Sequence, residues 1–386
     1  MKFSGYLRPD GQVGTRNYVG IISTVVCANE VARAISDKVN GSVAFSHQQG
    51  CCQTTPDLDR VTRILSGLGR NPNLASVLLV GLGCEGTKMP EVREAVIASG
   101  KKVETLMIQE EGGAARTIAK GVLIAQEMAI EASSMIPVEC GPGHIVLGLK
   151  CGSSDTTSGL ASNPALGMAV ERFVKEDAVV IMGEVTEIIG AEHIFAARAR
   201  DKETGKKILD LVERMENRAK TAGADMRGGQ PTPGNIAGGL TTIEEKSLGA
   251  IAKSGNAVVE AVYEYGERPC VKGLVLMDSP GREPELLTGL AAAGCNVIAF
   301  TTGRGAPQGF PFVPVIKITG NEKTWNHLQD HMDLSVHEVM DGGETLGQAG
   351  ERIYEAVEKV ASGTRTKAEI SGYVQAMDIY VTGPVI

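Results

Sequence analysis

The sequence predicts an α/β protein made of two Rossmann-like parallel-sheet domains with helices on both faces. Three observations lead to this fold class. Apolar, β-branched runs of strand length alternate with helix-length segments along the 386 residues. Several of these runs are apolar throughout, as strands buried on both faces must be. The 48 glycines provide for turns and close backbone approaches between the elements.

The first half of the chain shows the alternation from its first strand onward. A buried strand is predicted at residues 17–25, and a helix follows it. The remaining predicted strands of this half lie at 42–46, 76–81 and 102–107, and the helices at 29–36, 57–68, 90–99 and 113–134. The Gly- and Pro-rich run at 137–143 is typical of a domain boundary. We therefore expect an N-terminal α/β domain at 1–136 and a C-terminal α/β domain at 137–386.

The second half repeats the same alternation with one interruption. Residues 226–239 contain too many glycines and prolines for regular structure, so a loop is predicted there. Around it, strands are predicted at 144–149, 178–182, 273–277, 296–300 and 313–318, and helices at 164–175, 202–222, 242–253 and 346–361.

Composition and charge exclude several classes of function. The formal net charge is -8 and no cluster of Lys and Arg is present, which argues against nucleic acid or a membrane surface as partner. The N-terminus has no apolar signal core, and no run approaches 18 apolar residues. We therefore expect a cytoplasmic protein, in which the eight cysteines are thiols rather than disulfides.

Residues able to carry chemistry follow five of the predicted strands, each at the point where a strand ends. They are Cys27; His47 and Cys51; Cys84 and Glu85; Cys151 and Asp155; and Glu184 and Glu187. The carboxyl ends of parallel strands line a common crevice, so these groups are expected to converge. Thiolate, imidazole and carboxylate together are ligands for a transition metal, and several cysteines suit iron or an iron-sulfur cluster. The alternative is that each cysteine is a small core residue at a tight turn.

Two further groups of residues point to binding of a small acid. Arg304 stands on a Gly-flanked turn after a strand, where it can clamp a carboxylate, and Lys246 follows a glycine-rich loop. A surface arginine and a solvated Glu–Lys pair are the alternatives. Hydrogen-bonding partners for a substrate are expected from Arg16, Asn17, Ser153, Ser154, Ser158 and Asn163.

Six segments, taken in the order in which they occur along the chain, resemble the altronate and galactarate dehydratase family. They are DGQVGTRNY, FSHQQGC, VGLGCE, CGSSDTTSGLASNPALG, PTPGNIAGGLTTIEEKSLGA and FTTGRG. The resemblance extends from about residue 8 to residue 363. It implies a lyase that removes water from a sugar acid to give a 2-keto-3-deoxy acid and that depends on divalent iron or a similar metal.

The resemblance also implies a partner. The chain begins where the large catalytic part of single-chain members begins, so it is expected to be a large subunit whose small domain is a separate chain. The related sulfolactate sulfo-lyase is divided in this way, and the segment at 300–314 is similar to that branch. Sulfite is therefore an alternative leaving group to water. We also expect the large subunits to form a homo-oligomer.

These inferences assign roles in a β-elimination on a 2-hydroxy carboxylate. His47, Cys51, Cys84 and Cys151 are the candidate metal ligands. Asp155 and Glu187 replace them if the site is a mononuclear, oxygen-rich one holding Fe²⁺ or Mn²⁺. Arg304 is the candidate carboxylate clamp, and Lys246 or Glu85 the candidate base.

Two other classes of function remain open on the sequence. A non-catalytic subunit that binds a small acid would keep the fold but would lack metal and turnover. A nicotinamide dehydrogenase on the same kind of sheet is disfavoured, because no GxGxxG fingerprint follows the first strand.

Overall fold

Two parallel β-sheets covered by helices form the framework of the protein, which confirms the predicted α/β class. The computed structural model describes residues 1–375 and 377–386. In chain order the strands are β1 Phe3–Leu7, β2 Val13–Gly14, β3 Tyr18–Ser23, β4 Ser42–Phe45, β5 Leu74–Gly81, β6 Lys102–Met107, β7 Val138–Cys140, β8 Val146–Gly152, β9 Val179–Met182, β10 Val259–Tyr263, β11 Gly273–Met277, β12 Val297–Thr302, β13 Val315–Thr319 and β14 Leu334–Ser335.

The helices occupy most of the segments between these strands. They are α1 Asn29–Ser36, α2 Thr55–Gly69, α3 Met89–Ala98, α4 Ala114–Ser133, α5 Asn163–Lys175, α6 Glu192–Ala197, α7 Lys202–Thr221, α8 Pro233–Ala237, α9 Ile243–Ile251, α10 Glu283–Ala292, α11 Glu322–His327, α12 Leu346–Ala361 and α13 Lys367–Ser371. A π-helical turn at Ser158–Ser162 leads directly into α5. Among the described residues, no helix combines the length and apolar character needed to cross a membrane.

The first sheet has four parallel strands in the order β4-β3-β5-β6. Helices α1 and α4 pack on one face, and α2 and α3 pack on the other. Every residue of β5 is buried, which is why its sequence LASVLLVG shows no alternation of apolar and polar positions.

The second sheet positions the main site. Its seven parallel strands have the order β10-β11-β9-β8-β12-β13-β14. The chain leaves β8 first toward β9 and later returns to β12 on the other side, so the strand order reverses at β8. Open α/β sheets bind ligands at such a point, beyond the carboxyl ends of the strands.

Some elements were not predicted from the sequence. Strands β1, β2 and β7 form a small antiparallel sheet that pairs Phe3–Leu7 with residues 138–140, a contact too distant in sequence for a local pattern to reveal. Helix α10 is buried at every position from Glu285 to Ala292, so it lacks the polar face by which an amphipathic helix is recognised. The loop predicted at 226–239 contains the short helix α8.

The two halves of the chain share one continuous core. Helix α2 packs on α10 so closely that a Cβ at Gly67 would lie 2.5 Å from the carbonyl oxygen of Ala292. The C-terminal segment returns to the N-terminal half, where the Thr382 backbone N–H donates to Asp57. Residue 385 also pairs with Gln53 in an isolated bridge. These contacts fix the second sheet relative to the first.

Candidate active site

A polar cavity of about 480 Å³ lies at the carboxyl ends of β8 and β12. The loops after β8, β12 and β9 line it, together with α8, α9 and the first residue of α10. Its wall includes Lys150, Cys151, Ser154, Glu187, Lys246 and Arg304. The cavity therefore joins six side chains from four separate stretches of the sequence.

The loop after β8 brings its backbone and side chains into this cavity. Ser153 adopts a positive φ of 49°, a conformation that L-residues rarely adopt. The Cys151 thiol is 1% exposed and lies 3.1 Å from the Ser154 hydroxyl. The side-chain amide of Asn163 donates to the same sulfur at 3.5 Å. The predicted small polar run thus surrounds the thiol.

A fully buried ionic cluster lies behind the wall of the cavity, which it reaches through Lys150. The Glu184 carboxylate accepts from the Lys150 ammonium at 2.5 Å through Oε1 and from the Lys253 ammonium at 2.8 Å through Oε2. The backbone N–H of Cys151 also donates to Oε2, at 2.9 Å. All three charged side chains are at most 1% exposed. One carboxylate therefore holds two lysines at the end of the central strand.

The backbone at Glu184 is strained in order to reach this position. Its φ and ψ of 66° and 62° are left-handed, which costs a non-glycine residue on the order of 1–3 kcal/mol. The Ser279 hydroxyl, which accepts from the Glu184 backbone N–H at 2.7 Å, holds the residue in place. Strain of this kind persists where the surrounding structure fixes it, and it is common at functional sites.

The cluster keeps its charges in spite of complete burial. Burial alone would lower the pKa of both lysines, but the Glu184 carboxylate raises the pKa of Lys150 and of Lys253 above the ordinary value. Burial opposes the charge on Glu184 as well, yet the two ammonium groups lower the pKa of its carboxyl. All three groups are therefore ionised at neutral pH.

A second ion pair stands on the wall of the cavity. The Lys246 ammonium lies 3.2 Å from Oε1 of Glu187 and donates to Oε1 of Gln230 at 2.8 Å. The other carboxylate oxygen, Oε2 of Glu187, is buried and meets no protein hydrogen-bond donor among the described residues. A buried oxygen without a donor is costly, so this atom is available to a ligand.

Arg304 occupies the rim of the cavity. One guanidinium nitrogen, Nη1, donates to the carbonyl oxygen of Gly234 at 2.9 Å, and the side chain is exposed. No carboxylate lies within 4.0 Å of it in the described part of the chain. The neighbouring Gly303 is required by space, because a Cβ there would lie 2.2 Å from the Asp155 carboxyl carbon.

Three predicted site residues line an adjoining cavity of about 570 Å³, which shares Ser154 and Lys246 with the first. These residues are Asp155, Ser158 and Asn163. Oδ1 of Asp155 accepts from the Thr157 hydroxyl and from the Ser158 backbone N–H, and Oδ2 accepts from the Asn321 amide. Asp155 therefore orders the loop after β8 through Oδ1 and joins this loop to the start of α11 through Oδ2.

Four predicted residues lie away from this cavity, at the carboxyl ends of the four-stranded sheet. His47 is buried, with Nε2 2.9 Å from the Ser23 carbonyl oxygen and Nδ1 accepting from the Gln49 N–H. Glu85 accepts from the Thr24 hydroxyl and the Gly83 N–H. Cys51 lies 3.6 Å from the sulfur of Cys52, and Cys84 is exposed. Glu85 is thus not placed to act as the base in the main cavity.

Arg16 and Asn17 do not face the crevice. They precede β3 and therefore lie at the amino end of the sheet, opposite the site. Arg16 pairs with Glu369 at 2.7 Å, and Asn17 bonds to Arg8 and to the carbonyl oxygen of Ala132. The expectation that they bind substrate fails because the start and the end of a strand lie on opposite edges.

The candidate metal ligands are divided between the two sheets. His47, Cys51 and Cys84 lie at the first sheet, and Cys151, Asp155 and Glu187 at the second. Within residues 1–375 and 377–386, no three His, Cys, Asp or Glu side chains are grouped so as to hold a metal ion. As a metal ligand, His47 would first have to give up one of its two backbone contacts. The residues as arranged do not fit a single shared metal.

Family models match both halves of the chain. The model for the C-terminal part of D-galactarate/altronate dehydratase matches residues 143–383. The model for the second domain of D-galactarate dehydratase/altronate hydrolase matches residues 5–133. The chain belongs to this dehydratase family. Membership identifies it as an enzyme of the lyase class.

Relatives within the family agree with this identification. The chain is 36% identical over 375 residues to the (2R)-sulfolactate sulfo-lyase subunit beta of Chromohalobacter salexigens, covering 96% of this chain and 95% of that one. It is 34% identical over 343 residues to the altronate dehydratase of Bacillus subtilis, covering 86% and 68%. It is 31% identical over 404 residues to the galactarate dehydratase (L-threo-forming) of Escherichia coli, covering 99% and 77%.

Lys150 and Lys253 of this dehydratase-family site were not singled out from the sequence. A signal for Lys150 was present, because a lysine that ends the apolar run IVLGLK must be buried with a partner or must line a site. Glu184 was noted at a strand end but received no role. Lys253 gave no local signal, because only the packing of the segment after α9 against α5 brings it to Glu184.

Proposed function

We propose that this chain catalyses β-elimination on a 2-hydroxy carboxylate in the cavity at the ends of β8 and β12. The observation that carries the proposal is the meeting of Lys150, Arg304 and the Lys246–Glu187 pair in one polar cavity. The names of the relatives support it, because they describe two sugar-acid dehydratases and a sulfo-lyase.

Arg304 is the proposed carboxylate clamp. Its guanidinium has no carboxylate partner among the described residues, and its planar donors match the two oxygens of a carboxylate. Its backbone N–H donates to the carbonyl oxygen of Ser153, so the clamp is joined to the loop that carries the polar residues of the site.

The Lys246–Glu187 pair is the proposed acid–base unit. Oε2 of Glu187 takes the proton from C2 of the substrate, a double bond forms between C2 and C3, and the bond from C3 to the leaving group breaks. The Lys246 ammonium gives a proton to the departing hydroxide, which leaves as water. Proton transfer from Glu187 to Lys246 across their 3.2 Å contact then restores the pair. The enol product becomes a 2-keto acid, which is a 2-keto-3-deoxy acid when the substrate is a sugar acid.

Water is the leaving group that the wall of the cavity favours. Ser153, Ser154, Thr232 and Asn235 line it and offer hydroxyl and amide groups to a polyhydroxy acid. Sulfite is the second candidate, because the sulfo-lyase subunit matches this chain over nearly the whole length of both proteins. That relative is named a subunit, so we propose that this chain also works with a separate small subunit. A homo-oligomer of large subunits and a cytoplasmic location remain predictions.

The iron requirement remains a prediction of the family resemblance. The six candidate ligands do not come together in this arrangement of residues, so no step of the proposed reaction is assigned to a metal. The roles given to Arg304, Lys246 and Glu187 concern binding and proton transfer by the protein itself.

The proposal is tested by assaying the chain, together with its partner subunit and ferrous iron under anaerobic conditions, on galactarate, altronate and sulfolactate. A 2-keto acid should form from at least one of them. Sulfite release from sulfolactate alone would select the second candidate. The absence of a 2-keto acid from all three would contradict the proposed elimination.

A further inference from the structure

The buried cluster that reaches the cavity through Lys150 contains more positive charge than negative charge. Lys150 and Lys253 are 1% and 0% exposed, and the single carboxylate between them belongs to Glu184, which is 0% exposed. Two ammonium groups and one carboxylate leave a surplus of one positive charge. An uncompensated charge in a protein interior is costly, so a group that balances it is expected nearby.

No protein group inside the described structure balances this charge fully. The nearest second carboxylate is Glu283, whose Oε1 lies 3.9 Å from the Lys150 ammonium. That distance is beyond a hydrogen bond, and the Glu283 side chain is 31% exposed, so water screens it. Glu187 adds to the negative field on both lysines, but its charge is shared with Lys246, with which it is paired.

The positive charge is rigidly held. The Lys150 ammonium donates to Glu184 and to the carbonyl oxygens of Cys151 and Gly281, the latter two both at 2.8 Å. These three bonds use all of its donors. Lys150 therefore acts on the cavity as a fixed charge. Preorganised charges in a site that excludes water act more strongly on an anion than mobile surface charges do.

We propose that the Lys150–Glu184–Lys253 cluster is an electrostatic receptor for the substrate anion, whose carboxylate completes the charge balance of the cluster. The inference rests on the proposed function, since the anion is taken to be a 2-hydroxy carboxylate. Hydrogen bonds to that carboxylate come from Arg304, and the cluster adds the field of its surplus charge. In this role Glu184 and Lys253 are positioning residues.

Lys253→Met tests the proposal through ligand binding. Methionine is similar in length but uncharged, so the variant removes the surplus charge and retains the Lys150–Glu184 pair. The free variant should melt at a lower temperature than the wild type, because Glu184 loses one of its two ammonium partners. Its Kd for racemic lactate, a 2-hydroxy carboxylate with no group to eliminate, should rise by about tenfold or more, which is about 1.4 kcal/mol or more. Calorimetric titration and thermal melts of the intact protein measure both quantities.

The matched control is Lys101→Met. Lys101 is also a buried lysine, at 5% exposure, but its ammonium donates to the carbonyl oxygens of Gly69 and Asn71 in the other half of the chain. This variant should leave the Kd for lactate unchanged. A second test uses Glu283→Gln, which removes the partly compensating carboxylate at the edge of the cavity. Lactate should bind this variant several-fold more tightly than the wild type.

Two outcomes would overturn the inference. One is a Kd of Lys253→Met within twofold of the wild-type value. The other, which decides the matter if Lys253→Met does not fold, is a Kd of Glu283→Gln equal to or above that of the wild type. Because lactate is not turned over, a failed elimination assay leaves this result intact, and the two proposals fail separately.

Discussion

The ammonium of Lys246 lies 3.2 Å from Oε1 of Glu187, while Oε2 of the same carboxylate is buried and has no donor among the protein residues described. One oxygen therefore orients the side chain, and the other is free to act on a ligand. Helix α9 and a turn after β9 thus combine into the pair that we propose as the acid–base unit. Glu187 and Lys246 are 59 positions apart in the sequence, so it is the fold that brings them together.

Lys246→Met tests the acid half of this pair. The variant cannot protonate a departing hydroxide, so the rate of water elimination should fall by roughly 10²-fold or more. Sulfite leaves as an anion and does not need that proton, so sulfite release should fall less. The initial rate of 2-keto acid formation measures the effect. Lys206→Met, on the exposed surface of α7, is the control and should keep the wild-type rate.

Arg304→Gln tests the carboxylate clamp. Loss of a charge-assisted, two-point contact costs about 1.5–3 kcal/mol, so KM should rise by about tenfold or more. The change in kcat should be smaller, because the proton-transferring pair is untouched. Arg304→Lys should recover only part of the affinity, since lysine lacks the planar donor fork. A KM equal to that of the wild type in both variants would place the clamp elsewhere.

The helices and strands could be predicted where the sequence of each element itself shows an apolar pattern bounded by turn residues. Strand β6 and helices α1 and α12 begin and end where the sequence indicated, because each combines an apolar pattern with clear turn residues. Strand β8 extends three residues beyond its predicted end, since Lys150 and Cys151 are buried in the sheet although one of them is charged. Strand β1 depends on pairing with the distant β7, and β14 has only two residues, so neither has a local signature.

The site was predictable where residues follow the ends of strands in the second sheet. Cys151, Ser153, Glu187 and Arg304 all line the cavity, because parallel strands deliver their following loops to one edge. The same rule placed His47 and Cys84 correctly at strand ends, but the sequence does not say that these strands belong to a different sheet. That is why a single metal site was expected from residues that the structure divides.

Acid pH should destabilise the protein in part through His47. Burial lowers the pKa of His47 from 6.5 to about 4, so between these values the unfolded chain binds a proton that the folded chain does not. The stabilising contribution is complete above pH 6.5 and is lost as the pH falls toward 4, by about 3 kcal/mol in total. Urea unfolding of wild type and His47→Gln across this range should show a shallower pH dependence for the variant. Parallel curves would contradict the assignment.

Iron content tests whether the cysteines of the two sheets share a metal. The sulfur of Cys151 contacts Ser154 and Asn163 rather than another candidate ligand. We therefore expect Cys151→Ser, purified without oxygen, to contain as much iron as the wild type, with Cys270→Ser as the control. Loss of iron in Cys151→Ser alone would show that this thiol is a ligand, and the division of the predicted ligands would then be contradicted.

The most direct measurement of the central claim is the rate of 2-keto acid formation by Glu187→Gln, with lactate affinity measured on the same sample. The glutamine keeps the shape of the side chain but cannot accept the C2 proton. The account predicts a rate lower by roughly 10²–10⁴-fold, with a Kd for lactate within a few-fold of the wild-type value. A variant that turns over substrate at the wild-type rate would show that Glu187 is not the base.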